Sequence, residues 1–112
     1  MRAIKFRAYN TRIKQYDSFN IQESSAFPYF ITSNIHIIEQ YTGLKDKNGV
    51  EIYEGDIVKL DLNNYGYKEC IVKWHKKQAS WEFDNPKENY FTSDLMYNES
   101  HIEVIGNIHE TT

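Results

Sequence analysis

The sequence predicts a mainly β protein built of short antiparallel strands, and three observations carry that prediction. Aromatic residues make up 15% of the 112 residues, nine of them tyrosines, and rings with a polar tip suit the half-buried surface of a sheet. Apolar and polar residues alternate with the period of a strand, most cleanly in Ile4-Lys5-Phe6-Arg7-Ala8. Turn residues punctuate the chain at spacings of roughly ten residues, which favours a barrel or sandwich.

Taken in order, the first strand sets Lys5 and Arg7 on a solvent face and Ile4, Phe6 and Ala8 on a core face. Residues 10–14 are polar and turn-like, and QYDSFNI (residues 15–21) returns as a partner strand, which completes an N-terminal hairpin. Residues 22–34, QESSAFPYFITSN, form a loop or an edge, because Pro28 is unsuited to a central strand or a helix interior. IHIIEQYTG, from Ile35, is β-branched and aromatic enough to be a strand, with a short helix as the alternative.

The stretch YTGLKDKNGVEIYEGDIVKL (residues 41–60) specifies its own register. A two-residue turn at Asn48-Gly49 would set Asp46 opposite Glu51, and like charges directly across an antiparallel pair repel. A three-residue loop, Lys47-Asn48-Gly49, instead puts Asp46 at the first position of a type I turn and Gly49 in the left-handed position of the bulge that follows. Lys45 then faces Glu51 and Leu44 faces Ile52. Asp46, Asn48, Gly49 and Gly55 are therefore structural turn residues. Glu54-Gly55-Asp56 makes the next turn, from which residues 57–60 leave as a strand.

KECIVKWHK (residues 68–76) and SWEFD (residues 80–84) form a hairpin with its two tryptophans near the turn, ended by Asn85-Pro86-Lys87. Cys70, the one cysteine, belongs to the core of this hairpin and excludes both an internal disulfide and a thiolate-rich metal site. In residues 88–100, Ser93-Asp94 is suited to cap a helical turn over residues 95–98. EVIGNIH (residues 103–109) closes the fold. No linker or repeat interrupts the chain, so residues 1–112 are expected to form one domain: a β hairpin and loop over residues 1–40 and a barrel-like portion over residues 41–112.

Residues 41–58, flanked by Ile4-Lys5-Phe6-Arg7-Ala8 and Glu103-Val104-Ile105-Gly106-Asn107-Ile108, closely resemble the signature of the YopX family, small proteins of bacteriophages and prophages. The resemblance spans the chain, with a variable middle from about residue 62 to residue 100. It implies a mostly β protein of phage origin, and it brings no catalytic or ligand-binding residues to carry over. The turn at Glu54-Gly55-Asp56 also looks like the opening of an SH3-like barrel, a likeness of fold alone.

Chemistry is sparse by comparison. His36, His75, His101 and His109 show no metal-ligand spacing, the serines lack a nucleophile elbow and the glycines lack a phosphate cradle. Glu51, Glu54 and Asp56 read as acids of a solvated turn. No cofactor, metal or catalytic residue is expected. Two surfaces remain. Phe27, Tyr29 and Phe30 form an aromatic candidate for a partner contact. Lys5 and Arg7, with Lys73, Trp74, His75, Lys76 and Lys77, are candidates for nucleic acid, since cations interleaved with rings suit phosphates and bases.

A net charge of −3 and a pI near 5.8 disfavour broad DNA binding. The expectation is thus a non-enzymatic protein that acts through contacts with itself or with a host factor, the nucleic-acid module being the alternative. No apolar run is long enough to cross a bilayer as a helix, and the charged start MRAIKFRAYN is unlike a signal peptide, so the expected location is the host cytoplasm, away from membranes.

Overall fold

A computed structural model describes residues 5–20, 34–62, 66–77, 79–85, 87–88, 90–93 and 99–110, with backbone alone at 18–20 and 90–93. Within them run β1 (Lys5–Asn10), β2 (Gln15–Asn20), β3 (His36–Lys45), β4 (Glu51–Tyr53), β5 (Asp56–Asp61), β6 (Tyr67–His75), β7 (Ser80–Asn85), β8 (Tyr90–Ser93) and β9 (Ile102–Asn107), with a 3-10 turn at Glu99–His101. The strands form two antiparallel sheets, ordered β2-β1-β3-β4 and β8-β7-β6-β5-β9. The fold is mainly β, and one of the sheets curls as a half-barrel.

β1 lies between β2 and β3, pairing with them from Lys5↔Asn20 and from Phe6↔Gln40 onward. This central position overturns the solvent face expected for Arg7. Arg7 is 9% exposed and its neighbour Ala8 is fully buried, so both faces of the strand are covered. The turn after β1 is built by Asn10, whose Oδ1 accepts from the backbone N–H of Arg12 at 2.9 Å and of Ile13 at 3.2 Å.

β3 runs unbroken through residue 40, so the N-terminal hairpin and the barrel-like portion share one strand. Its second half pairs with β4 at Tyr41↔Tyr53 and Lys45↔Glu51, with an irregularity between. Thr42, Gly43 and Leu44 therefore stand against Ile52 alone, and the direct Leu44 to Ile52 pair expected from the sequence is replaced by a bulge. Gly43 supplies the left-handed residue at φ +88, and Thr42 Oγ1 donates to Ile52 O at 2.7 Å. Leu44 packs on the core from the bulge.

The loop after β3 is held by Asp46. Gly49 N–H donates to Asp46 O at 3.0 Å, Asp46 N–H donates to Val50 O at 2.8 Å, and Gly49 has φ +83. The Asp46 carboxylate accepts from Asn48 N–H at 2.8 Å and Val50 N–H at 2.9 Å, and from Val104 N–H of β9 at 2.9 Å. Burial pushes this carboxyl up, but the three backbone donors, with Lys47 nearby, outweigh it and hold the group below its usual value. One side chain thus shapes a turn and fastens it to a strand far along the chain.

The hydrophobic core fills the second sheet. Val58 and Leu60 of β5, Cys70 and Val72 of β6, Trp81 and Phe83 of β7 and Ile102 of β9 enclose Ile52 of β4. Burial pushes the Cys70 thiol up to about 11, so it packs as a small hydrophobe. In β9, Ile57↔Gly106 and Val58↔Val104 leave Ile105 as an extra residue, turned outward and 44% exposed. Ser93 ends β8 opposite Glu82, and Asp94 with the helical turn expected over residues 95–98 lies outside the described part.

Asp46→Asn should cost about 1–3 kcal/mol, because an amide cannot accept from all three N–H groups without turning its own donors toward one of them. Asp46 has a depressed folded value, so its contribution is full above the ordinary value of 3.8 and is lost as the pH falls through the folded one. Urea unfolding across pH should show a constant gap between parent and variant above about pH 5 that narrows toward pH 2.

Candidate functional site

Strand alternation and cross-strand pairing bring a group of polar side chains to one place between the sheets. Arg7 of β1 and Glu39 of β3 are direct partners and so share a face, and β4 turns through Glu54-Gly55 to deliver Asp56 opposite them. Arg7 Nε donates to Glu39 Oε1 at 2.7 Å, and its Nη2 donates to Asp56 Oδ1 at 2.7 Å and to Glu54 O at 3.3 Å. The second Asp56 oxygen accepts from Tyr53 N–H at 2.8 Å. The guanidinium also lies over two rings, 4.2 Å from the centroid of Tyr16 and 4.8 Å from that of Tyr53.

The remaining acceptor sites of Glu39 are filled from β2 and from the end of the chain. Tyr16 OH donates to Oε1 at 3.1 Å, and His109 Nε2 lies 2.8 Å from Oε2. His109 stacks on Tyr9 with centroids 3.9 Å apart and planes 8° from parallel. Burial disfavours the charged forms here: it pushes the carboxyls of Glu54 and Asp56 and the hydroxyl of Tyr16 up. It also pulls on Arg7, where Asp56 and Glu39 more than compensate and leave the guanidinium raised. Gly55 completes the arrangement at φ +86, where an added Cβ would stand 2.6 Å from Glu39 Oε2.

A cleft of about 330 Å³ opens above this network, lined by Tyr9, Lys14, Tyr16, Asn107, His109 and Glu110. A second cleft, of about 310 Å³, lies at the far end of β5 and β9 between Lys59, Asp61, Tyr67, His101 and Glu103. It carries both signs of charge, and Lys59 Nζ already lies 4.4 Å from the Tyr67 centroid. Among the described residues, no three His, Cys, Asp or Glu side chains come together as a metal site would require.

The cationic candidates for nucleic acid are dispersed. Arg7 is consumed by the buried network, and Lys5 Nζ bonds Glu51 Oε2 at 2.6 Å on the same sheet. Glu51, expected to bond Lys45, is thus taken by Lys5, although Lys45 remains its backbone partner. On the other sheet Lys73 pairs with Asp84 at 3.0 Å, and His75 lies 3.9 Å from Glu82. Lys76 and Lys77 are exposed in the turn after β6. Trp74 is 45% exposed and meets the buried Trp81 edge-on at 5.1 Å. Of the two acids read from the sequence as belonging to a solvated turn, Asp56 lies in the interior at 2% exposed and Glu54 is half-buried. Phe27, Tyr29 and Phe30 lie outside the described residues.

The residues missed from the sequence are Glu39, Tyr16 and His109. Glu39 left a signal, as the sole acid in the apolar strand HIIEQYTGLK. His109 left none, since its partner stands 70 positions away.

The sequence model described as YopX protein matches residues 1–112, which takes in β1 with Arg7 and the segment after β9 with His109 as well as the central hairpin. The chain belongs to the YopX family. Among curated proteins no match was found. A solved structure similar to this YopX chain is that of protein EF1440 from Enterococcus faecalis, 26% identical over 97% of this chain and 95% of that one, with a TM-score of 0.51. The family match takes in every stretch of the YopX chain that contributes to the ion network.

Arg7→Met should cost about 3–5 kcal/mol, because it leaves two buried carboxylates without a cation. Asp56→Asn should cost less, since Arg7 and Glu39 remain a balanced pair; equal losses in urea unfolding would contradict this account. Gly55→Ala should destabilise more than Gly49→Ala. Both force an unfavourable φ, at about 1 kcal/mol, but only Gly55 also drives a methyl into a pinned carboxylate.

Proposed function

We propose that this YopX protein is a non-enzymatic phage or prophage protein of the host cytoplasm that works by docking on another protein through the Trp74 end of its second sheet. The observation that carries the reading is the bracing of Trp74. Its ring is 45% exposed yet rests edge-on against Trp81, which is 7% exposed. A large ring held in place before binding loses little conformational freedom on contact, which is the character of an interface anchor.

The surroundings favour protein over nucleic acid. On the face of this hairpin opposite to Trp74, Asp84 and Glu82 stand next to Lys73 and His75, so the positive charge at this end of the sheet is largely cancelled. The non-enzymatic reading is supported by the engagement of the buried acids and Arg7, whose bonds join the two sheets. Lys76 and Lys77, exposed at the tip, are what the nucleic-acid alternative rests on.

Trp74→Ser tests the reading. The variant should unfold within about 1 kcal/mol of the parent, as expected for a residue already half in solvent. Affinity capture from a host lysate should yield a defined protein with the parent and lose it with the variant. Fluorescence anisotropy at about 0.15 M salt should show little binding of single-stranded DNA or RNA. Sub-micromolar, salt-sensitive binding that is lost with Trp74 would transfer the site to nucleic acid instead.

A further inference from the structure

The cleft above the ion network is rich in hydrogen-bond acceptors. His109 Nε2 is committed to the Glu39 carboxylate at 2.8 Å, so in the neutral ring Nδ1 is the acceptor nitrogen. Among the described residues that Nδ1 makes no hydrogen bond, and neither does the Tyr9 hydroxyl, whose ring alone is engaged. Asn107 is occupied locally: its Oδ1 accepts from His109 N–H at 2.9 Å and its Nδ2 donates to Glu110 Oε1 at 3.2 Å. Glu110 is exposed at the mouth and keeps accepting capacity there.

Charge points the same way. Beneath the cleft one cation, Arg7, faces two carboxylates, Glu39 and Asp56, which leaves one negative charge in excess before Glu54 is counted. At the mouth Lys14 and Glu110 cancel. Lys14 sits at φ 58 with its N–H bonded to Asn10 O at 2.8 Å, so its root is fixed while its exposed stem is able to swing clear.

We infer that this cleft receives the guanidinium of an arginine side chain from a partner protein. Arginine is donor-only, with five N–H groups in a plane that also stacks on rings. It matches His109 Nδ1, the Tyr9 oxygen and Glu110, and supplies the missing positive charge. A volume of about 330 Å³ suits one side-chain head. The inference rests on the reading that the protein acts through protein contacts, and adds a second point of attachment on the other sheet.

The test is an NMR titration of the His109 ring and the Glu110 amide with the capped peptide acetyl-Gly-Arg-Gly-amide, its lysine counterpart and inorganic phosphate. The arginine peptide should shift both signals saturably, the lysine peptide more weakly, and phosphate should leave them in place. Glu110→Gln should weaken the arginine peptide roughly two- to five-fold, the scale of one partly exposed ion pair, and Lys14→Met should tighten it by a similar factor. Trp74→Ser should titrate like the parent, so failure of the Trp74 reading and failure of this one are read separately. The inference is overturned if the arginine peptide produces no saturable shift, if Glu110→Gln binds it as tightly as the parent, or if phosphate or the lysine peptide binds better.

Discussion

Burying a guanidinium is the constraint around which this structure is arranged. Taking Arg7 out of water is costly unless each of its directions finds an acceptor or a ring, and the fold meets that demand with residues from five separate stretches of chain. β1 brings the cation, β3 brings Glu39, the β4 to β5 turn brings Asp56 and the Glu54 carbonyl, β2 brings Tyr16, and the segment after β9 brings His109. A network of this kind contributes less to net stability than to uniqueness. A sheet slipped by one residue would turn Arg7 to the opposite face and strand two carboxylates in the interior.

The two halves of the molecule are consequently joined in different ways. Ile52 crosses from β4 into the apolar interior of the second sheet, and Asp46 and Lys47 bond the backbone of β9 at Val104 and Ile102. On the opposite side the joint is polar and aromatic. The apolar side holds by area and the polar side by direction.

Most of the strand order was legible in the sequence because it is local. The hairpin at residues 46–50 is written in Asp46, Gly49 and the Lys45 to Glu51 pairing, and the β6 to β7 hairpin in its alternating Cys70, Val72, Trp81 and Phe83. What escaped was set by partners distant in sequence. Arg7 reads as a solvent residue because alternation says which side it faces, and cannot say that a second sheet lies on that side. The bulge at Gly43 escaped for a similar reason: a glycine between Thr42 and Leu44 fits a regular strand equally well until Ile52 is known to stand alone opposite. Of the candidate surfaces, Trp74 was visible as a ring among cations, although the sequence favoured a core or cross-strand place for it and its exposure emerged only in the fold, whereas the cleft at His109 is assembled from distant stretches of chain and is invisible to any short motif.

The strand order of the second sheet also governs how the molecule is made. β5 lies between β6 and β9, and β9 comes last of the described strands. While the polypeptide is being synthesised, β5 can pair with β6 as soon as both have emerged, but its other edge, with the apolar faces of Val58 and Leu60, stays open until residues 102–107 arrive. His109 follows later still. Folding must therefore finish after translation has passed these residues, and a nascent chain halted before them would present an unpaired edge to its neighbours.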